Sequence, residues 1–190
     1  FPLAVIEIKP IVGRIIGQLA AKHLKPAVLE LGGKNPMVIL EDADLDEAVE
    51  SAAFGSFFNQ GQICMSTDRI IVSSSIADTF VAKLTAKVSK MKAGKPGTEG
   101  CILGAMVSPD AAARVKRMVE DAASKGAKLM TGPVQMDGAV LQPVLLDGLT
   151  AEMDLYKEEA FGPVVTVLRA SSDDEAVRLA NDSEYGLSAS

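Results

Sequence analysis

A chain of 190 residues with 48% apolar and 23% charged residues has the balance of an ordinary globular protein, long enough to bury roughly 70% of its unfolded surface. Its formal charge of −6 and the absence of any basic run argue against nucleic acid as a partner, because phosphate binding needs clustered Lys and Arg. Two cysteines are too few for a disulfide framework, and no stretch approaches the roughly 18 apolar residues of a membrane helix; the thiols read as free, in a reducing, cytoplasmic compartment.

In chain order, Phe1 to Ile8 is apolar and reads as a strand, and Val12 to Leu24 reads as a helix. Ala27 to Leu31 and Met37 to Leu40 read as two further strands. Asp44 with Glu47 forms a capping box. Apolar residues at 45, 48, 49, 52, 53 and 57 then trace one face of a helix that stops near Gly61. Arg69 to Val72 reads as a strand. Ile76, Phe80, Val81, Leu84 and Val88 mark a helical face after Ser73-Ser74-Ser75. The segment 92–100 is the loosest stretch and reads as a surface loop.

Ser108-Pro109 is a cap followed by a first-turn proline, with Ala111, Val115, Met118, Val119 and Ala122 behind it and a stop at Gly126. Ala127 to Met130 and Pro163 to Leu168 read as strands, and Ser172 with Glu175 caps a last helix near 172–182. Helices alternate with short runs that are apolar on both faces. That pattern predicts an α/β fold of three layers, with a largely parallel sheet covered by helices.

Three segments carry chemistry. In Leu29-Glu30-Leu31-Gly32-Gly33-Lys34-Asn35-Pro36, a carboxylate is followed by two glycines, which allow backbone to approach a ligand closely. Read alone, this is more often a strand that ends in a solvated turn. In Phe57-Phe58-Asn59-Gln60-Gly61-Gln62-Ile63-Cys64, a lone cysteine follows a helix end. Such a cysteine is often a small buried hydrophobe, but Asn59, Gln60 and Gln62 would be costly in an apolar core without partners. Glu158-Glu159-Ala160-Phe161-Gly162-Pro163 on its own reads as a charged turn.

Together, in this order and with Cys64 placed 34 residues after Glu30, the three segments resemble the aldehyde dehydrogenase superfamily. The resemblance runs from about Gly13 to Ser190 and includes Asp42-Ala43-Asp44-Leu45 and the closing Asn181 to Ser190. Its wording is most similar to bacterial members acting on aromatic aldehydes such as salicylaldehyde, vanillin or benzaldehyde.

The resemblance implies oxidation of an aldehyde, hydrophobic or aromatic, to a carboxylic acid with NAD or NADP. Cys64 would be the nucleophile, passing through a thiohemiacetal and a thioester, and Glu30 the general base. Glu159 and Phe161, with Leu31 and Gly32, would meet the cofactor, and Phe58, Ile63 and Met65 would line the aldehyde channel. A homo-oligomer is implied, with no metal, membrane or nucleic acid. The division implied is 1–26 as a remnant of the cofactor-binding domain and 27–190 as the catalytic domain, incomplete at its C-terminal end.

Where the family carries Gly-Ser-Thr at a helix start against the cofactor phosphates, this chain has Ile8, Lys9 and Pro10. The expectation is therefore that this chain binds the cofactor poorly. The alternative reading is a truncated, non-catalytic α/β fragment that folds or associates. His23, the only histidine, permits no Cys-His pair or multi-histidine metal site and suits a surface or helix-end position. Cys101 reads as a structural thiol, and the scattered methionines as core filler.

Overall fold

The computed structural model describes residues 10–190; the strand expected over Phe1 to Ile8 lies outside them. The order of elements is α1 (Pro10–Lys22), β1 (Asn35–Ile39), α2 (Leu45–Phe57), a 3₁₀ turn (Phe58–Gly61), β2 (Thr67–Ser73), α3 (Ala77–Val88) and α4 (Pro109–Ser124). There follow β3 (Lys128–Leu129), β4 (Met136–Asp137), β5 (Val140–Leu141), β6 (Val144–Asp147), α5 (Asp154–Lys157), β7 (Val164–Ala170) and α6 (Asp173–Asn181).

Five strands form one sheet in the order β1-β2-β7-β6-β3. β1, β2, β7 and β6 pair in parallel, while β3 runs antiparallel to β6. Alternate residues of each strand face opposite sides, and the sequence fills both with apolar groups. Ile70 and Val72 of β2, Leu145 of β6 and Val165 and Val167 of β7 pack with Phe57, Phe80 and Leu84 from α2 and α3. Ile71, Leu146 and Leu168 turn the other way, onto Val115 and Val119 of α4, Leu155 of α5 and Ala176 of α6. The three-layer, largely parallel α/β arrangement is thus as expected.

The helix ends sit where the capping residues place them. Asp44 accepts hydrogen bonds from the N–H groups of Asp46 and Glu47. Ser108 accepts from Ala111, with Pro109 opening the helix, and Ser172 accepts from Glu175. His23 follows the end of α1 and is exposed. The segment 92–100 lies in no helix or strand; Ala93 bridges to Leu103 and exchanges hydrogen bonds with the Gln142 amide.

One expected strand is not found among the described elements. Residues 27–30 lie in no described strand and are exposed, with Val28 at 62%, and Leu31 makes only a single bridge. An apolar run needs a free ladder edge to become a strand. The outer edge of β1 is instead taken by Ser190, whose carbonyl accepts from Val38 and whose N–H donates to Pro36. The strand expected over Ala127 to Met130 shrinks to the short, antiparallel β3. β6 and the β4–β5 hairpin add pairing where none was expected.

Candidate active site

The segments that carry Glu30, Cys64 and Glu159 run directly into β1, β2 and β7 respectively. These strands are adjacent and parallel, so all three segments meet at the amino ends of neighbouring strands. Glu30 therefore precedes β1 in an exposed turn and does not terminate a strand, which corrects the reading of residues 27–31.

Close backbone approach explains the two glycines. The N–H of Gly33 donates to the Glu159 carboxylate at 3.0 Å. A Cβ at position 32 would lie 2.2 Å from the other Glu159 oxygen, and one at position 33 would lie 2.5 Å from the Cys64 carbonyl oxygen. A side chain at position 33 would collide with backbone, and one at position 32 would displace the Glu159 carboxylate. The Glu30 turn is thereby wedged between the other two segments.

The approach to Cys64 is bent sharply. Asn59, Gln60 and Gly61 have φ of 51°, 57° and 67°, a left-handed run that costs non-glycine residues energy and persists only where the surroundings impose it. Gly61 abuts the carbonyl of Gly162, where a Cβ would come within 2.2 Å. The polar neighbours of Cys64 find backbone partners. Gln62 accepts from the N–H of Val107 at 2.8 Å, and Asn59 donates to the Gln62 carbonyl at 3.2 Å. Cys64 itself is half-buried.

Phe161 also has positive φ, 49°. Its segment is held from below by Arg114, which donates to the carbonyls of Glu159 and Ala160.

Beneath these turns lies a polar lattice that the sequence reading did not single out. Lys34, buried at 1% exposure, pairs with Asp68 at 2.7 Å. The second oxygen of Asp68 accepts from the N–H of Ala160 at 3.2 Å, so one carboxylate ties together all three segments. Burial lowers the Lys34 pKa from its ordinary value of 10.5, and the adjacent Asp68 carboxylate opposes that shift. Asn35 donates to the carbonyls of Cys64 and Ser66 at 2.7 and 3.0 Å. Asp68 and Arg69 are charged residues near the start of the otherwise apolar β2, and that was the available sign of this interior.

The residues expected at the site fall into groups. Glu159, Phe161 and Gly32 line one cavity of about 450 Å³ together with Pro10, Arg114 and Tyr185. Burial, and then the nearby Glu159 and Glu158 carboxylates, raise the Tyr185 pKa above 10.0. Phe58 lies elsewhere, stacked on Phe54 with centroids 5.0 Å apart, in an apolar groove with Met91 and Ile102. Ile63 borders a small internal space beside Gly33 and Glu159. Met65 is exposed at 62%, and Leu31 is half-buried next to Gly13 of α1. The three expected channel residues thus do not line one common cavity. Cys101 is half-buried, its sulfur packed on Gly94.

Comparison with known proteins agrees with this picture. A model of the aldehyde dehydrogenase family matches residues 9–190. A vanillin dehydrogenase of Pseudomonas fluorescens is 56% identical over 178 residues, which cover 94% of this chain and 37% of that protein. A salicylaldehyde dehydrogenase of Pseudomonas putida G7, solved with salicylaldehyde, superposes with a TM-score of 0.90 at 47% identity, covering 97% of this chain and 38% of the other. An NADP-dependent glyceraldehyde-3-phosphate dehydrogenase of Bacillus halodurans C-125, solved with NADP, superposes with the same score at 34% identity and the same coverage. The chain spans little more than a third of the length of these relatives. With nearly all of its residues matched, the chain belongs to the aldehyde dehydrogenase family.

Proposed function

We propose that the protein oxidises an aldehyde to a carboxylic acid, with NAD or NADP as the hydride acceptor. The observation that carries this reading is the convergence of the Glu30, Cys64 and Glu159 segments at the amino ends of three adjacent strands. Cys64, as thiolate, attacks the aldehyde carbon, and the carbonyl oxygen takes up the negative charge. The backbone N–H of Cys64 is one donor available to that oxyanion. When bound, the nicotinamide accepts the hydride that leaves this carbon. The acyl group is then held on sulfur as a thioester, from which thiolate is a competent leaving group. Glu30 takes a proton from water as its oxygen attacks the thioester, releasing the acid and restoring the thiolate.

The cavity beside Glu159 fits the nicotinamide-ribose end of the cofactor. Its volume, about 450 Å³, lies within the roughly 300–1,000 Å³ usual for small-molecule sites. In this cavity Glu159 would meet the ribose hydroxyls, Phe161 presents a ring and Gly32 presents backbone. The names of the vanillin and salicylaldehyde relatives favour an aromatic aldehyde.

Hydrolysis of nitrophenyl acetate tests the roles without any cofactor. Replacing Glu30 with Gln is expected to preserve the initial burst of nitrophenol and slow the steady phase by about 10²–10⁴-fold, the usual contribution of a general base. Equal steady rates in the two proteins would remove Glu30 from the mechanism.

Cofactor affinity of the 190-residue chain is expected to be weak. Helix N-termini bind phosphate through free N–H groups, but α1 begins with Pro10, which has none. Ile8 and Lys9, which also replace the family's small and hydroxyl residues, lie outside the described residues. Calorimetric titration should therefore show no micromolar binding of NAD or NADP; a micromolar Kd would contradict this. The same segment favours a second reading, an associating fragment without catalysis. Ile11, Ile15, Leu19 and Val28 are 64%, 52%, 53% and 62% exposed, and apolar surface of this kind promotes association. Light scattering is expected to find dimers or larger species, and a clean monomer at high concentration would oppose both this and the proposed homo-oligomer.

A further inference from the structure

Asn35 spends both of its side-chain donors on backbone around Cys64. Its amide nitrogen donates to the Cys64 carbonyl at 2.7 Å and to the Ser66 carbonyl at 3.0 Å. Its amide oxygen accepts from the N–H of Ser188 at 3.2 Å. Two carbonyls on one side and an N–H on the other fix the orientation of the amide. The residue is 4% exposed, and its backbone opens β1, in register with Thr67 of β2.

The loop that this amide grips has little order of its own. Between Gly61 and Thr67 no residue lies in a helix or strand, and the internal restraint is a bond from the Ser66 N–H to the Ile63 carbonyl. Gly33 makes the grip possible, since a Cβ there would lie 2.5 Å from the Cys64 oxygen and 2.6 Å from both polar atoms of the Asn35 amide. The sheet frame, through one buried amide, therefore sets the planes of the peptide groups that follow Cys64 and Ser66.

We propose that Asn35 is a positioning residue for Cys64, an inference that rests on reading Cys64 as the nucleophile. Asn35 touches no reacting atom. It orients the Cys64 backbone, and through it the direction of the thiol. Two donors from a neutral group are required. Aspartate in this place would set a carboxylate against two carbonyl oxygens, while serine would supply one donor.

The test is alkylation by iodoacetamide, followed at each thiol by peptide mass spectrometry, in the wild type, Asn35→Asp and Asn35→Ser. The rate at Cys64 is expected to fall about 10-fold in Asn35→Asp, a moderate share of the roughly 10²-fold that a misplacement of 1 Å can cost. The rate at Cys101 should be unchanged, and Asn35→Ser should lie between. In ester hydrolysis, kcat expressed per folded chain should fall, whereas a general loss of folded protein would vanish on that normalisation. A Cys64-to-Cys101 rate ratio that is unchanged or raised in the folded variants overturns the proposal. If Asn35→Asp unfolds, both thiols accelerate together, and Asn35→Ser alone decides. Ester hydrolysis that survives Cys64→Ser would defeat the nucleophile reading. Hydrolysis that needs Cys64 but ignores residue 35 would defeat only the role of Asn35.

Discussion

Asp68→Ala is expected to destabilise the chain by about 3–5 kcal/mol, the usual cost of stranding one partner of a buried ion pair. The Lys34 ammonium would keep its burial and lose the carboxylate 2.7 Å away, and the N–H of Ala160 would lose its acceptor. The pH dependence of the deficit identifies its cause. Burial already depresses the Lys34 pKa below 10.5, and only Asp68 and weaker neighbours resist that shift. Without Asp68 the folded state binds fewer protons than the unfolded state over a wider range below 10.5, so the variant's stability rises with pH. Urea unfolding should show the deficit narrowing from pH 7 towards pH 10. Removing both charges, as in Lys34→Met with Asp68→Leu, should recover most of the loss, because a well-packed apolar pair can replace a buried ion pair. A deficit below about 1 kcal/mol, the scale of an exposed pair, would show that Lys34 is solvated.

Cys64→Ser is expected to lower cofactor-free ester turnover by on the order of 10³-fold or more, since it removes the covalent route altogether. Serine retains the size and the backbone N–H of the position but lacks the acidity that makes a thiolate available near neutral pH. Cys101→Ser should leave turnover intact, because that sulfur is packed on Gly94, away from the convergent turns. Equal loss in both variants would point to a general dependence on thiols and not to a site.

Helix ends were readable in the sequence because capping is local chemistry. Asp44, Ser108 and Ser172 each bond to N–H groups two or three residues away. Strands were less readable, because a strand exists only if an edge is free to receive it. Residues 27–30 have the composition but lie in no described strand, whereas Val144-Leu145-Leu146 lie between Pro143 and Gly148, too short a run to signal β6. At the site, Gly32 and Gly33 were legible as close-approach positions. Their collision partners, Glu159 and the Cys64 carbonyl, are distant in sequence and required the fold. The Lys34–Asp68 pair joins residues 34 apart, and the left-handed turn at Asn59 and Gln60 is imposed by packing, so neither follows from local composition. Phe58, Ile63 and Met65, grouped by adjacency to Cys64, point to different surroundings because a sharply turned loop disperses successive side chains.

The central claim, that Cys64 is a nucleophile served by Glu30, meets its most direct test in the mass of the protein after brief exposure to nitrophenyl acetate. Attack by sulfur transfers the acetyl group, and deacylation slowed in Glu30→Gln should leave it in place. The account predicts one acetyl group per chain in Glu30→Gln, mapped to the peptide containing Cys64, with far less in the wild type. No acetylation of Glu30→Gln, or acetyl groups spread equally over Cys64 and Cys101, would contradict it.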